Sequence, residues 1–224
     1  MSHADATDWR DVHDRLLAHF GPQHWWPGDS PFEVMVGAVL TQNTAWRNVE
    51  KAIGRLKVAQ ALSCNPILAI PIDELACLIR PAGFFNVKSR RLKALCQFLA
   101  ERGVAEAPEA LARQARVDAL RKDLLAVYGV GEETADSILL YALDLPVFVV
   151  DAYTRRIFGR LGLLDGNEAY GDIQARFHAR LPAEVALFNE YHALIVALGK
   201  TCCRPRPRCG VCPLVSRCPG RLPA

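Results

Sequence analysis

Five cysteines lie close together near the carboxyl end of the chain, in the stretch TCCRPRPRCGVCPLVSRC. Four of them have the spacing C-x6-C-x2-C-x5-C: Cys202, Cys209, Cys212 and Cys218. Four thiolates from one short segment can hold a zinc ion or an iron–sulfur cluster. The spacing alone does not exclude either metal, and it leaves Cys203 as an extra thiol.

A pair of glycines is the second feature with chemical potential. Residues 118–127 have helical periodicity, Gly129-Val130-Gly131 follows, and a second helix is expected over 132–143. Glycines allow a tight turn with open amide N–H groups, and the dipole of the next helix favours an anion there. The stretch from about 118 to 143 therefore predicts a helix-hairpin-helix that binds one phosphate at Gly129 and Gly131. An ordinary helical hairpin with a glycine cap is the alternative.

Asp151 follows the apolar run 147–150 at the start of another expected helix. Such an aspartate can cap the helix, or it can be held ionised in a partly dry cleft as a catalytic group. Taken alone, the pattern favours the cap. Hairpin, spacer, Val150-Asp151 and the four cysteines nevertheless occur in this order over about ninety residues.

The elements that must position these residues read as helices separated by Pro and Gly. Ser30-Pro31-Phe32-Glu33 is a capping box that opens a helix to about Leu40. Another helix is expected from Asn86 until Gly103. The run 145–150 has β character but no partner strand, so an extended connector is predicted. The expected fold class is all-α.

Composition limits the class of protein. The chain has 224 residues, of which 51% are hydrophobic and 23% charged, so a disordered or fibrous protein is excluded. No apolar run approaches the ~18 residues of a membrane helix. The acidic amino terminus is unlike a signal peptide, so a cytoplasmic location is expected, and eight cysteines without a signal peptide argue against disulfides.

Charge is distributed unevenly along the chain. The net charge is +3, yet the segment from Lys200 to the end holds six basic and no acidic side chains, which leaves −3 for residues 1–199. The basic side chains are Lys200, Arg204, Arg206, Arg208, Arg217 and Arg221. This local excess predicts a docking surface for an anion.

Together these motifs resemble the endonuclease III or helix-hairpin-helix DNA glycosylase superfamily, in its iron–sulfur branch, from about Pro31 to Cys218. Pro31-Phe32-Glu33 and Leu40-Thr41-Gln42-Asn43-Thr44 are similar to the family's helix ending in a Gln that fills the hole left by a flipped nucleotide. The segment from Gly83 to Lys88 is similar to the loop that wedges a side chain into the opposite strand. The resemblance implies DNA contacts at Gln42, Phe84 and Lys88, and Arg90, Arg91 and Lys200 would add positive charge.

The resemblance also implies the cofactor and the architecture. Cys202, Cys209, Cys212 and Cys218 would bind a [4Fe–4S] cluster in a loop over 202–218, and the nearby arginines would offset its charge. Two helical lobes are expected. One is a six-helix barrel over residues 25–145 that includes the helix-hairpin-helix. The other combines 1–24 with 146–224 and carries the cluster loop.

One departure from the family pattern bears on the reaction. Bifunctional members carry G-V-G-R-K-T-A, whose Lys forms a Schiff base with the sugar, whereas this chain reads Gly129-Val130-Gly131-Glu132-Glu133-Thr134-Ala135. Glu133 cannot form an imine, and only Lys122 lies near it in sequence. The resemblance therefore implies a monofunctional DNA N-glycosylase. Asp151 would stabilise the oxocarbenium-like sugar and orient the attacking water, and Glu133 is a second candidate catalytic group.

Aromatic residues indicate the substrate. Trp25, Trp26 and Trp46 flank the first barrel helix, and aromatic faces attract a cationic base, as N-alkylated purines are. Packing is the alternative role for these residues. The segments W-W-P, L-T-Q-N-T and G-E-E-T-A-D resemble the 3-methyladenine DNA glycosylase subgroup, which implies 3-methyladenine as the substrate.

Other functions stay open at this point. They are an endonuclease III-type glycosylase and lyase for oxidised pyrimidines, a mismatch glycosylase, and a lesion-binding protein without turnover. The expected partners are double-stranded DNA with a damaged base and an abasic-site endonuclease that takes over the product. A monomer associated with the nucleoid and not with a membrane is expected.

Overall fold

The computed structural model describes the backbone of residues 3–220 and the side chains of residues 9–220. Within these residues all regular structure is helical and no strand forms, which confirms the all-α prediction. No helix in this part of the chain is long and apolar enough to cross a bilayer. The α-helices are α1 His3–Phe20, α2 Pro31–Leu40, α3 Trp46–Val58, α4 Cys64–Ala69, α5 Ile72–Leu78, α6 Phe85–Glu101, α7 Val117–Ala126, α8 Glu132–Ser137, α9 Ala152–Arg160, α10 Tyr170–Arg180 and α11 Val185–Thr201. The 3-10 helices are Arg80–Ala82, Pro108–Arg113 and Cys209–Val211, and a π-helical turn, Ile138–Ala142, follows α8.

The helices form two compact units. One unit is Trp26–Leu145, and the other combines Met1–Trp25 with Pro146–Ala224. The first unit contains α2 to α8, and the second contains α1 and α9 to α11.

Helix α2 is the centre of the unit Trp26–Leu145. It begins where the capping box predicts, with the Ser30 hydroxyl accepting a hydrogen bond from the Glu33 backbone N–H at 3.2 Å. All of its residues from Phe32 to Leu40 are buried, and it packs against α3, α6 and α8. A helix that is apolar on every side belongs in a core. The turn that follows it is therefore firmly placed.

Two elements of this unit differ in detail from the sequence prediction. Helix α6 begins at Phe85, one residue before the predicted Asn86, because Phe84 adopts left-handed backbone (φ 45°) and acts as its N-cap. The helix predicted over 132–143 changes character at Ile138, where α8 gives way to the π-helical turn. The π-helical turn continues the helix to Ala142, one residue short of the predicted end.

Aromatic rings fill the core of the second unit. Trp9 of α1 lies 4.7 Å from Phe158 and 4.5 Å from Phe177, measured between ring centroids. Phe148 stacks on Phe177 at 3.6 Å. The Tyr191 hydroxyl of α11 donates to the Trp9 carbonyl at 2.6 Å. These contacts tie α1, α9, α10 and α11 to the segment that leads into α9.

That segment, residues 146–150, is extended, as predicted. Its backbone bonds to side chains in place of a partner strand. The Val150 N–H donates to the Tyr170 hydroxyl at 3.2 Å. The Phe148 N–H donates to His178 Nε2 at 3.2 Å, and the Phe148 carbonyl accepts from Gln174 Nε2 at 2.7 Å. The partners come from one face of α10, at intervals of four residues: Tyr170, His178 and Gln174. Helical periodicity puts such residues in one row, so α10 fixes the path of the chain into α9.

Candidate functional site

Asp151 is the N-cap of α9. Its Oδ1 accepts hydrogen bonds from the Thr154 backbone N–H at 2.7 Å and from the Thr154 hydroxyl at 2.9 Å. The side chain is only 10% exposed, and its other oxygen, Oδ2, lies 3.6 Å from His192 Nε2. One carboxylate oxygen therefore serves the helix cap, while the other faces a second side chain. The cap therefore occupies only one of the two carboxylate oxygens.

His192 of α11 is the functional candidate that sequence reasoning missed. Burial by itself would raise the pKa of Asp151, but His192 and the bonds from Thr154 outweigh burial and hold that pKa below its ordinary value. The carboxylate is therefore ionised at neutral pH. The sequence carries one weak signal, since His192 is a buried polar residue within the apolar helix α11, but no pattern links it to an aspartate about forty residues earlier.

Two arginines at successive turns of α9 bind the segment that carries the cysteines. Arg156 Nε donates to the Cys203 carbonyl at 2.8 Å. Arg160 is 6% exposed, and its guanidinium donates to the Arg204 carbonyl at 2.7 Å and the Pro205 carbonyl at 3.0 Å. The same group donates to the Cys203 sulfur at 3.2 Å. The helix that begins at the buried carboxylate is thus bonded to the cysteine segment at its other end.

The four spaced cysteines share one region of the second unit. Cys202 is buried, Cys212 and Cys218 are half-buried, and Cys209 is exposed. Burial, with the neighbouring thiols of residues 202, 203 and 218, raises the pKa of Cys212. The donor chemistry fits a thiolate-bound metal, because no Asp or Glu lies in residues 200–224. Among the described residues no three Cys, His, Asp or Glu side chains stand grouped as a metal site, so gathering the thiols would be part of metal binding.

In the unit Trp26–Leu145, α7 and α8 flank the G-V-G turn, as predicted. Gly129 has φ +81°, and a Cβ on it would collide with the Arg91 side chain of α6. Gly131 is the N-cap of α8. Arg121 and the fully buried Asp136 form a two-bond ion pair, at 2.7 and 3.0 Å, which locks α7 to α8. The turn is held firmly in a conformation that requires glycine at its first position.

Gln42, in the turn after α2, bonds to this hairpin. Its Nε2 donates to the Gly129 carbonyl at 3.0 Å and to the Thr134 hydroxyl at 2.8 Å, and its Oε1 accepts from Arg91. The side chain is half-buried and fully occupied by these bonds. Filling a gap in DNA would therefore require Gln42 to exchange them. The next residue, Asn43, is exposed and has left-handed backbone (φ 52°).

Phe84 is exposed enough to act as the side chain that wedges into the opposite DNA strand. It is 70% exposed and has left-handed backbone (φ 45°) directly before α6. Gly83 before it also has positive φ (66°). Arg90, one turn and a half later on α6, is exposed. Among the phenylalanines of the described residues, Phe84 is the one exposed ring, and the others are buried or half-buried. This exposure agrees with the predicted position of a probing side chain.

Lys88 does not fit the DNA contact expected of it. It is 1% exposed, and its Nζ donates to the Leu40 carbonyl at 2.9 Å, the Thr44 hydroxyl at 2.7 Å and the Ala82 carbonyl at 2.8 Å. Burial, together with the charge on Arg91, lowers the pKa of Lys88 to about 8. An ammonium has three N–H donors, and all three are used inside the protein. The expectation of a direct phosphate contact at Lys88 is therefore wrong.

Two of the predicted pocket tryptophans meet in the unit Trp26–Leu145. The Trp26 ring lies 5.2 Å from Trp46, edge to face, and 5.1 Å from Tyr141. Gly37 of α2 makes room for them, since a Cβ there would lie 3.2 Å from Trp26 Nε1 and 3.5 Å from Trp46 Cη2. Both tryptophans are half-buried. Tyr141 was not foreseen, because nothing in its sequence spacing pairs it with Trp26.

Trp25 and Lys200 belong to the second unit. Lys200 Nζ lies 5.5 Å from the centroid of the Trp25 ring, a cation–π contact. In the basic segment that follows, Arg217 pairs with Asp11 at 3.2 Å, and Arg221 lies outside the described residues. Three further arginines of the segment are exposed: Arg204, Arg206 and Arg208.

Glu133 is exposed in the first turn of α8, where the helix dipole favours an acidic side chain. Lys122 of α7, the lysine nearest to it in sequence, is also exposed. The expected site residues thus divide between the units. Those in Trp26–Leu145 are Trp26, Gln42, Trp46, Phe84, Gly129, Gly131 and Glu133, and those in the second unit are Trp25, Asp151, Lys200 and the four spaced cysteines.

Comparisons with known proteins cover most of the chain. A family model described as HhH-GPD superfamily base excision DNA repair protein matches residues 36–183. A protein of Methanocaldococcus jannaschii, whose name assigns it provisionally to the DNA repair glycosylases, is 46% identical over 207 residues, or 92% of this chain and 94% of that protein.

Two solved structures share the fold. A non-covalent complex of endonuclease III with DNA has a TM-score of 0.82 at 24% identity, and the match covers 96% of this chain and 95% of that one. The H. pylori 3-methyladenine DNA glycosylase, bound to 1,N6-ethenoadenine, has a TM-score of 0.70 at 29% identity, with 87% of this chain and 95% of that chain covered.

Proposed function

Because the chain belongs to the HhH-GPD superfamily of base excision DNA repair proteins, we propose that it is a monofunctional DNA N-glycosylase that removes an alkylated purine, foremost 3-methyladenine. One observation carries the proposal. The chain keeps a buried, ionised carboxylate at Asp151 but has Glu133 where the bifunctional members of the family have a lysine. It retains the group that breaks the glycosyl bond and lacks the amine that cuts the strand.

Asp151 supplies the electrostatic part of the reaction. Breaking a glycosyl bond builds positive charge on the sugar, as in other glycoside hydrolyses. A fixed negative charge in a dry site stabilises that charge more than water would. Because Oδ1 is occupied by Thr154, Oδ2 is the oxygen that we assign to the sugar and the attacking water. His192 keeps this oxygen ionised and oriented.

Strand cleavage through an imine needs an accessible amine. Glu133 has none. Lys88 has the lowered pKa of a nucleophilic lysine, at about 8, but its Nζ is enclosed by three acceptors. Lys122 is exposed, and it has no neighbour that activates it among the described contacts. The product of the proposed reaction is an abasic site in an intact strand.

The aromatic cluster supports an alkylated purine as the substrate. The Trp26 ring lies 5.2 Å from Trp46 and 5.1 Å from Tyr141, and an N-alkylated purine is a cation that aromatic faces attract. Such a base is also a good leaving group, so the site needs no strong general acid. The likeness to the H. pylori 3-methyladenine DNA glycosylase, at 29% identity, points in the same direction.

DNA binding is assigned to groups that remain open in the fold. They are the amides of Gly129 and Gly131, the exposed Phe84, Arg90 and the basic segment that begins at Lys200. Phosphate contacts release counterions, so affinity should fall steeply with salt.

We assign Cys202, Cys209, Cys212 and Cys218 as the ligands of a [4Fe–4S] cluster. The cluster would supply a structural crosslink. Arg156 and Arg160 bind the backbone of this segment. A metal held by the four cysteines would fix the rest of the segment, including the basic side chains that follow α11. The same arginines connect the segment with α9 and hence with Asp151.

The remaining assignments follow from the reaction. The substrate is double-stranded DNA with a damaged base, and the abasic product passes to a separate abasic-site endonuclease. Catalysis by a single chain needs no second subunit, so we assign a monomer. Its place of action is the compartment that holds the DNA, the cytoplasm with its nucleoid.

A duplex with one labelled strand and a single alkylated purine tests the monofunctional reaction. The labelled strand should remain whole after incubation and should break only when alkali is added. Borohydride should trap no covalent adduct. Strand cleavage together with an adduct would instead indicate a glycosylase and lyase of the endonuclease III type. Tight binding without base release from alkylated, oxidised or mismatched duplexes would indicate a lesion-binding protein.

A further inference from the structure

Lys88 lies on the second turn of α6, and its charge is entirely enclosed. A buried ammonium is costly unless every donor is satisfied. Here Nζ reaches the Leu40 carbonyl, the Thr44 hydroxyl and the Ala82 carbonyl, all within 2.9 Å. An apolar side chain would fill this part of the core without the desolvation cost of a charge. The positions of the three partners indicate that Lys88 has a role besides packing.

Two of the three partners, Thr44 and Ala82, belong to two loops that carry the proposed DNA probes, and the third, Leu40, is the last residue of α2, directly before the first loop. The first loop, residues 41–45, contains Gln42, and the second loop, residues 80–84, ends in Phe84. Besides accepting from Lys88, the Thr44 hydroxyl donates to the Ala82 carbonyl at 2.5 Å. Lys88, Thr44 and Ala82 therefore form a closed ring of hydrogen bonds that joins the first loop to the second.

Each loop contains a residue that needs such support. Asn43 has φ 52° and Phe84 has φ 45°, a backbone region that residues other than glycine occupy only when their surroundings hold them there. Both residues are exposed, so side-chain packing does little to hold them. The ring of hydrogen bonds includes Thr44, the residue after Asn43, and Ala82, two residues before Phe84.

The first loop is also tied to the hairpin. Gln42 bonds to the Gly129 carbonyl and the Thr134 hydroxyl. Hydrogen bonds of Lys88 and Thr44 thus connect the second loop to the first, and those of Gln42 connect the first loop to the hairpin. Three candidate DNA-contacting elements of this unit are linked in one network.

We propose that Lys88 is a positioning residue that holds the two loops in one arrangement, so that the gap-filling and wedging side chains enter the duplex together. Lys88 itself touches no DNA in this account, and the proposal rests on the proposed function for the identity of the probes. Loss of the ring should impair distortion of the duplex. It should spare general affinity for DNA, which depends on phosphate contacts elsewhere.

Two variants remove the ring in different ways, and two controls match them. Thr44→Val removes the shared hydroxyl and leaves the buried Lys88 ammonium with two carbonyl acceptors, and Lys88→Met removes the charge itself. Thr44→Ser keeps the hydroxyl. Lys93→Met removes another lysine of α6, whose Nζ bonds to the Leu68 and Ile70 carbonyls at 2.8 and 2.7 Å. These carbonyls belong to neither probing loop.

The primary readout is the fluorescence of 2-aminopurine placed opposite an alkylated purine in a duplex, at saturating protein. Unstacking of the base by the wild-type protein should raise the signal. Thr44→Val and Lys88→Met should lose more than half of this rise, and Thr44→Ser and Lys93→Met should keep it. Single-turnover base release should fall by about 10- to 100-fold in the first pair, while affinity for undamaged duplex stays within about 2-fold.

A wild-type signal in folded Thr44→Val would overturn the proposal, and so would an equal loss in Lys93→Met, which would reduce Lys88 to a general stabiliser of α6. Because the fluorescence rise needs binding and not catalysis, the result stands even if the wild-type protein releases no base. In that case the proposed glycosylase function fails, and the coupling of the loops is still decided.

Discussion

His192 Nε2 lies 3.6 Å from Asp151 Oδ2, and the two side chains keep 7% and 10% of their exposure. Burial opposes ionisation of Asp151, whereas His192 and Thr154 favour it and prevail, because the pKa of the carboxyl is lowered. The negative charge that the proposed reaction needs is thus maintained by α11, an element distant in sequence from α9.

Replacement of this histidine should change the pH profile of the enzyme. In His192→Gln the contribution of the imidazole that lowers the pKa of Asp151 is lost, so burial regains weight and that pKa rises. Because a carboxylate loses its charge as pH falls through its pKa, the acid limb of base release should move to higher pH. The measurement is kcat/KM against pH. His19→Gln, at an exposed position of α1, should leave the limb in place, and an unmoved limb in His192→Gln would refute the pairing.

The aromatic cluster should matter most for a cationic base. Trp26→Ala removes the ring that contacts both Trp46 and Tyr141. Cation–π attraction of roughly 0.5–2 kcal/mol corresponds to a fall of about 2- to 30-fold in release of 3-methyladenine. Affinity for undamaged duplex serves as the control and should not change. Unaltered release by a folded Trp26→Ala protein would show that the cluster is packing and that the pocket lies elsewhere.

The cysteine segment should bind metal through four of its five thiols. Cys202→Ser removes the buried thiol and should abolish stoichiometric iron and the visible absorption of the cluster. Cys203→Ser is the matched control, since Cys203 is the neighbouring residue and binds Arg160 through its sulfur and Arg156 through its carbonyl. It should retain full iron content. Elemental analysis checks both variants, and a colourless wild-type protein with one zinc and no iron would contradict the assignment.

An amine introduced at the position of the missing lysine should restore strand chemistry. Glu133→Lys should form a borohydride-trapped adduct with DNA that carries an abasic site, whereas the wild-type protein should form none. Arg substituted at the same position supplies the charge without a nucleophilic amine and is the control. A trapped adduct with wild-type protein would mean that another lysine acts, and Lys122 would then be the first to test.

Local signals in the sequence predicted much of the fold. Ser30 and Pro31 fix the start of α2 through groups within one helical turn. The glycines of the G-V-G turn indicate a backbone conformation that other residues rarely adopt, as the φ of Gly129 shows. The extended run before Asp151 was also recognisable, although only the structure shows that α10 satisfies its backbone. These features depend on neighbours along the chain, and the sequence displays such neighbours directly.

Features that depend on contacts between residues distant in sequence could not be predicted in the same way. Lys88 looked like a surface cation on α6, but carbonyls of residues 40 and 82 enclose it. His192 has no sequence relation to Asp151, and Tyr141 has none to Trp26. Burial of a charge and pairing across helices arise from tertiary packing. The role of a lysine or histidine in a helical pattern therefore cannot be predicted from the sequence alone.

The central claim is that Asp151 drives release of an alkylated purine. Its most direct test is chromatography of the bases released from methylated duplex DNA by wild-type and Asp151→Asn protein. Asparagine can still cap α9, so the variant should fold and bind DNA while release of 3-methyladenine falls by about 100-fold or more. No 3-methyladenine from folded wild-type protein, or equal release by both proteins, would contradict the account.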